Sequence, residues 1–200
     1  MIRHAQKSDA KAIAILHQKT LAKSFLASLG VGFLEILYRF LIKKEIVIVY
    51  SDDDVLKGFV AFSKHSSGMM KRFLFTCPMC VIKLIGIMVS KPAFLKRVVE
   101  TFATPFKSKI SVPSSAMVKL PHAEILSIAV EPYFQKTGIG GQLLVALEDH
   151  LKQIGISKYK VIAGGSLDSA NRFYLRNNFA FISQIIIHGN ELSNIYTKKL

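Results

Sequence analysis

Between residues 124 and 154 the chain reads EILSIAVEP, then YFQKTGIGG, then QLLVALEDHLKQI. The first run is β-rich, with Leu126, Ile128 and Val130 spaced for one sheet face, and Pro132 ends it because proline cannot donate to a ladder. The last run has helical spacing, with Leu143, Leu144, Leu147, Leu151 and Ile154 on one stripe. A strand, a glycine-rich turn and a helix in that order make an anion site. Free backbone N–H groups at the helix start converge there with the positive end of the helix dipole, and glycine lets the backbone approach a phosphate closely. Spacing separates the familiar forms of such a site. A Walker loop needs Lys and then Ser or Thr after its last glycine, but Gly141 is followed by Gln142 and Leu143. A dinucleotide fingerprint needs glycine at 143, where Leu143 stands. What remains is Q-x-x-G-x-G, from Gln135 to Gly140.

The flanking sequence predicts a single α/β domain. A short extended start at Ile2 to Ala5 leads to a helix capped by Ser8 or Asp9 and running to about Leu21, with Ile13, Leu16 and Leu21 at helical spacing. After a break at Gly30 to Gly32, Phe33, Leu34, Leu37, Tyr38 and Leu41 mark a second, core-facing helix. Ile46 to Tyr50 and Leu56 to Phe62 read as a hairpin across the polar turn 51–54. Beyond the glycine-rich stretch come a strand at Tyr159 to Ala163, a short helix at Ser169 to Asn177, and a final hairpin of Phe181 to His188 and Leu192 to Thr197 across Gly189 and Asn190.

The order of strand, loop and helix resembles the GNAT superfamily of acyl-CoA-dependent N-acyltransferases, over most of the chain outside 64–119. The resemblance implies a mixed, largely antiparallel central sheet flanked by helices, acetyl-CoA as cosubstrate, no metal, and direct transfer of an acetyl group to a small-molecule or peptide amine. It implies that Gln135, Lys136, Thr137, Gly138, Ile139 and Gly140 bind the coenzyme pyrophosphate through backbone amides, with Gly141 extending the cradle. Ile128, Ala129 and Val130 would hydrogen-bond the pantetheine arm, and an amide of that strand would polarise the thioester oxygen. The run NRFYLRNNF is similar to the family's second cofactor element, so Asn171 inherits a cofactor contact, and Tyr174 a place near the sulfur as the acid that protonates the thiolate. Glu124, eleven residues before Gln135, stands where some members carry a base acting through water. His122 and Glu131 are the alternatives. Two departures are mild: Lys136 and Thr137 replace the common Arg or Gly, and Asn178 stands where glycine usually precedes phenylalanine. Asn tolerates the left-handed conformation nearly as glycine does. The competing reading is a non-catalytic acyl-CoA-binding or membrane-associated module of the same fold.

Charge is concentrated outside this frame. Lys and Arg number 27 against 13 acids, a net charge of +14, and residues 64–119 carry ten of the basic side chains with Glu100 as their one acid. The window reads as a basic, apolar insertion between the third and fourth strands. It serves as a helical layer over the sheet, as a peripheral contact with an anionic membrane surface, or as a homodimer face. Phe73 to Val89 is at the lower length limit for a span and carries Pro78 and Lys83. No nucleic-acid module is legible, so nucleic-acid binding is non-specific at most. Cys77 and Cys80 form one C-x-x-C without a second pair, too few for a zinc site or a disulfide framework and consistent with a reducing interior. No secretory signal is legible, and the expected compartment is the cytoplasm, with the inner membrane surface as the peripheral site. His4, His17, His65, His150 and His188 lack metal-ligand spacing and read as surface or satisfied packing residues.

Overall fold

Alternating apolar residues and two helical stripes build a sheet with helices on both faces. The computed structural model of the protein describes residues 1–22, 24–53, 55–77, 120–188 and 191–200. In chain order its elements are β1 (Ile2–His4), α1 (Ala10–Thr20), α2 (Val31–Lys44), β2 (Ile46–Asp52), β3 (Val55–Ser63), α3 (Met69–Thr76), β4 (Glu124–Val130), α4 (Ile139–Gln153), β5 (Lys158–Gly164), α5 (Asp168–Arg176), β6 (Ala180–His188) and β7 (Glu191–Lys199). The seven strands run in the order β1-β2-β3-β4-β5-β7-β6. Every neighbouring pair is antiparallel except β4 and β5. The expected mixed, largely antiparallel sheet is therefore present. The first hairpin is tighter than its polar turn suggests, because β2 extends to Asp52 and Asp53 takes a left-handed φ of 46°.

Two cores flank the sheet. On one face α1, α2 and α3 bury Ile13, Leu34, Leu37 and Phe73 against Val49, Phe59 and Ala61. On the other, α4 and α5 bury Leu143, Leu144, Leu147 and Tyr174 against Val60, Phe62, Ile125 and Val161. The stripe predicted for α4 is the buried one apart from Ile154, which lies just past the helix end and is 37% exposed. Gly58 on β3 lets α4 sit close to the sheet: a Cβ there would lie 3.1 Å from the Ala129 carbonyl oxygen and from Leu143 Cδ1.

The predicted face of β4 is corrected by a bulge. Ala61 pairs with Ser127 but Phe62 pairs with Ile125, so Leu126 is the extra residue. The alternation shifts phase there. Ile125, Ile128 and Val130 join the second core, while Leu126 and Ala129 join the first.

The described part of the 64–119 window is not separate from the main body. Phe73 of α3 is fully buried, with its ring edge-on to Phe33 and Phe40 at centroid distances of 5.7 and 5.4 Å. Cys77 follows α3 and is not a free thiol. Cys80, the apolar run beyond Cys77 and the helical face expected after Pro92 lie outside the described residues, as does the turn at Gly189 and Asn190. Among the described residues no helix is long and apolar enough to cross a membrane.

Candidate active site

β4 and β5 touch at one end and then part. Their parallel pairing covers Glu124 with Lys160 and Ile125 with Val161. Beyond Ile125 the bulge turns β4 away, opening a V in the sheet. Glu131 donates its N–H to the Lys57 carbonyl at 2.8 Å, which sets the phase of the β3–β4 ladder. By strand alternation, Ile128 and Val130 turn their own N–H and C=O groups to the opposite side, into the V. The Val130 carbonyl is taken there by Gln135 Nε2 at 3.1 Å. Gln135 thus fastens the loop to the strand end.

From the tip of the V the chain enters α4 through two left-handed residues, Lys136 at φ 65° and the cap Gly138 at φ 89°. Thr137 Oγ1 donates to the Phe134 carbonyl at 2.7 Å and braces the bend. The first N–H with a helical partner is that of Gln142, to the Gly138 carbonyl at 3.0 Å. Those of Ile139, Gly140 and Gly141 therefore have none within the helix. The two later glycines differ in role. A Cβ on Gly140 would meet Phe173 of α5 at 3.2 Å, so this glycine lets α5 pack against the helix start. A Cβ on Gly141 would meet nothing within 4 Å, so the space on that side of the helix start is open. Lys136 is exposed beside it. Bare amides, a helix N-terminus and a cation suit a diphosphate.

Tyr174 packs into the second core with Ile128 and Val130, so the structure brings it to the same side of the V as those strand residues. Its ring contacts Phe173, Phe179 and Tyr196, and it is 5% exposed. Burial pushes its phenol well above the ordinary tyrosine value, so it is protonated at neutral pH. Asn178 supplies the expected left-handed residue before Phe179, at φ 64°. Asn171 has a different environment from the one its pattern suggests. Its Nδ2 donates to the carbonyls of Gly164 and Gly165, both at 3.1 Å, while its Oδ1 accepts from Asn194 Nδ2 and the Tyr196 hydroxyl, both at 3.0 Å. The amide is fully engaged in joining α5 to β5 and β7.

On the α1–α2 face of the V the residue expected as base is paired. Glu124 Oε2 lies 3.1 Å from Lys160 Nζ, which also donates to the Pro121 carbonyl at 2.7 Å. Cross-strand from Glu124, the buried Ser63 hydroxyl has no partner among the described residues. Glu131 is bound by Lys19 of α1, and the exposed His122 has its ring 6.4 Å from that of His65. Sequence reading missed the polar residues nearest the bulge. Ser127 Oγ lies 3.1 Å from the Tyr38 hydroxyl, which is 2.6 Å from His17 Nδ1. In the sequence Tyr38 is one of a run of apolar stripe residues, and nothing local marks it as polar in use.

Residues 101–179 match the model of the acetyltransferase (GNAT) family. That stretch of the chain is similar to the GNAT family. Solved acetyltransferase structures share its whole course at low identity. An N-acetyltransferase from Staphylococcus aureus Mu50 is 15% identical at a TM-score of 0.62, covering 100% of this chain and 97% of its own. YncA from Salmonella typhimurium, solved with its cofactor acetyl-CoA, gives 15% and 0.62, with 100% and 93% covered. A ribosomal-protein-alanine N-acetyltransferase from Brucella melitensis gives 12% and 0.60, with 100% and 99% covered. These likenesses establish the GNAT fold. A comparison with curated proteins finds no match.

Proposed function

We propose that this protein transfers the acetyl group of acetyl-CoA directly to the nitrogen of a small-molecule or peptide amine. The observation that carries the proposal is the parting of β4 from β5 beyond Ile125, which points two strand amides into a V whose tip runs straight into an unsatisfied helix start. The amides of Ile139, Gly140 and Gly141, with Lys136, would hold the diphosphate. Ala129 bonds to β3, so Ile128 and Val130 would face the pantetheine arm. The Ile128 N–H would polarise the thioester oxygen. Tyr174, kept protonated by burial, gives its proton to the departing thiolate. Glu124 Oε1, which has no hydrogen bond among the described residues, attracts a protonated amine and removes its first proton through water while Lys160 holds Oε2.

The test has two readings. Titration calorimetry with coenzyme A should show saturable binding that weakens on Gly141→Ala, whose methyl enters the open space at the helix start. Free-thiol release from acetyl-CoA with an alanyl tripeptide, a lysyl tripeptide, spermidine and glucosamine then separates transferase from binding module. Binding without thiol release from any of them favours the module, and absence of binding removes both.

A further inference from the structure

The charge and hydrogen-bonding potential of the first core converge on one spot of β4. His17 is 3% exposed, its ring stacked 6.4 Å from Phe59. Its Nε2 lies 3.2 Å from Ser24 Oγ, and its Nδ1 lies 2.6 Å from the Tyr38 hydroxyl, which lies 3.1 Å from Ser127 Oγ. Four side chains thus form an unbroken hydrogen-bonded line from the α1–α2 connection to the catalytic strand.

The distances allow the line to run in either sense, and the sense that serves proton transfer is the one in which Ser24 Oγ, which accepts the N–H of Ala27 at 3.2 Å, also accepts from His17 Nε2. That leaves Nδ1 without a proton, so Tyr38 must donate to it. The Tyr38 oxygen then accepts from Ser127. In that sense the proton of the half-buried Ser127 goes to Tyr38, which leaves its lone pairs able to accept another on the α1–α2 face next to the bulge at Leu126. The neighbouring Ile128 N–H points into the V. A thioester oxygen held by that amide would have its carbon open to attack from the Ser127 side.

We infer that Ser127 receives the proton lost by the attacking nitrogen, and that Tyr38, His17 and Ser24 conduct it to the surface. This rests on the N-acetyltransferase reading and adds to it the path of the second proton, Glu124 having taken the first from the ammonium form. As nitrogen bonds the acetyl carbon and the carbon–sulfur bond breaks, one N–H proton passes to Ser127 Oγ. The Ser127 proton passes to Tyr38, the Tyr38 proton to Nδ1 of His17, and the Nε2 proton to Ser24 and water. The thiolate takes its proton from Tyr174, which regains one from water, so protons balance for amine and thioester going to amide and thiol. Ser127 is the catalytic residue of this set. Tyr38 and His17 act through it.

Nitrogen-15 histidine NMR on the full chain tests the line without turnover: His17 should be neutral with its proton on Nε2, and Tyr38→Phe should shift its Nδ1 resonance. A proton found on Nδ1 reverses the line and overturns the inference. In thiol-release assays with the four amines above, Ser127→Ala and Tyr38→Phe should each lower kcat about 100-fold, in the range for proton transfer by one positioned group, with KM for acetyl-CoA nearly unchanged. Ser127→Thr should restore most of it, and the solvent deuterium effect of the wild type should fall in Tyr38→Phe. Wild-type kcat in Ser127→Ala, with Glu124→Gln inactive, overturns the inference and leaves the transferase reading standing. Thiol release from none of the four amines, with coenzyme A still bound, overturns the transferase reading and the inference with it.

Discussion

Lowering the pH from 7 to 5 should destabilise this protein through His17. Burial pushes its imidazole from the ordinary 6.5 down to about 4, because the ring sits in the first core and no carboxylate hydrogen-bonds it. The unfolded chain therefore binds this proton first. The neutral ring's contribution is complete above pH 6.5, declines as pH falls, and is fully lost below about pH 4. With each pKa unit worth about 1.4 kcal/mol, the whole effect is about 3 kcal/mol, of which about 2 is lost between pH 7 and pH 5. That is a large part of the ~5–15 kcal/mol that holds a domain folded. Asp9 does not interfere, since its hydrogen bond from Arg3 holds its carboxyl below the usual range and outside this window. Urea unfolding at both pH values, for wild type and His17→Gln, isolates the term. Gln does not titrate, so whatever the variant loses at pH 7, its further loss on going to pH 5 should be smaller than the wild type's by about 2 kcal/mol. Equal losses in the two proteins would show that His17 is not held neutral by burial.

Four other substitutions separate structural from chemical roles. Gly140→Ala sets a methyl 3.2 Å from the Phe173 ring and should cost about 1–2 kcal/mol in urea unfolding, whereas Gly141→Ala should leave stability within about 0.5 kcal/mol and weaken coenzyme A in calorimetry. Asn171→Ala removes four hydrogen bonds and leaves Asn194 and Tyr196 underpartnered, so it should lower stability by about 2–3 kcal/mol; a loss of coenzyme affinity at full stability would instead mark a direct cofactor contact. Tyr174→Phe keeps the ring packing and should reduce thiol release about 100-fold with coenzyme A affinity unchanged, while equal activity would show that Tyr174 is not the acid.

Local chemistry determined much of the frame. Apolar stripes at helical and strand spacing are statements about which side of an element meets water, and they delimited α2, α4 and the outer strands to within a few residues. The loop from Gln135 to Gly141 was legible because its glycines and the helix after it are contiguous, and so was the left-handed residue at Asn178. The interior of the V was not. A bulge depends on how β4 meets β3, and the extra residue at Leu126 reverses the face of every residue before it without altering the composition of the strand. Asn171 carries the family pattern, yet its amide is used up by groups on β5 and β7 that lie close only after the sheet closes. His17, Tyr38 and Ser127 are separated by 21 and 89 positions. A hydrogen bond needs atoms within about 3 Å, and sequence spacing carries no information about that distance once the separation exceeds a helical turn. Sequence alone thus specified which backbone could grip an anion; tertiary packing decided which side chains stand opposite it.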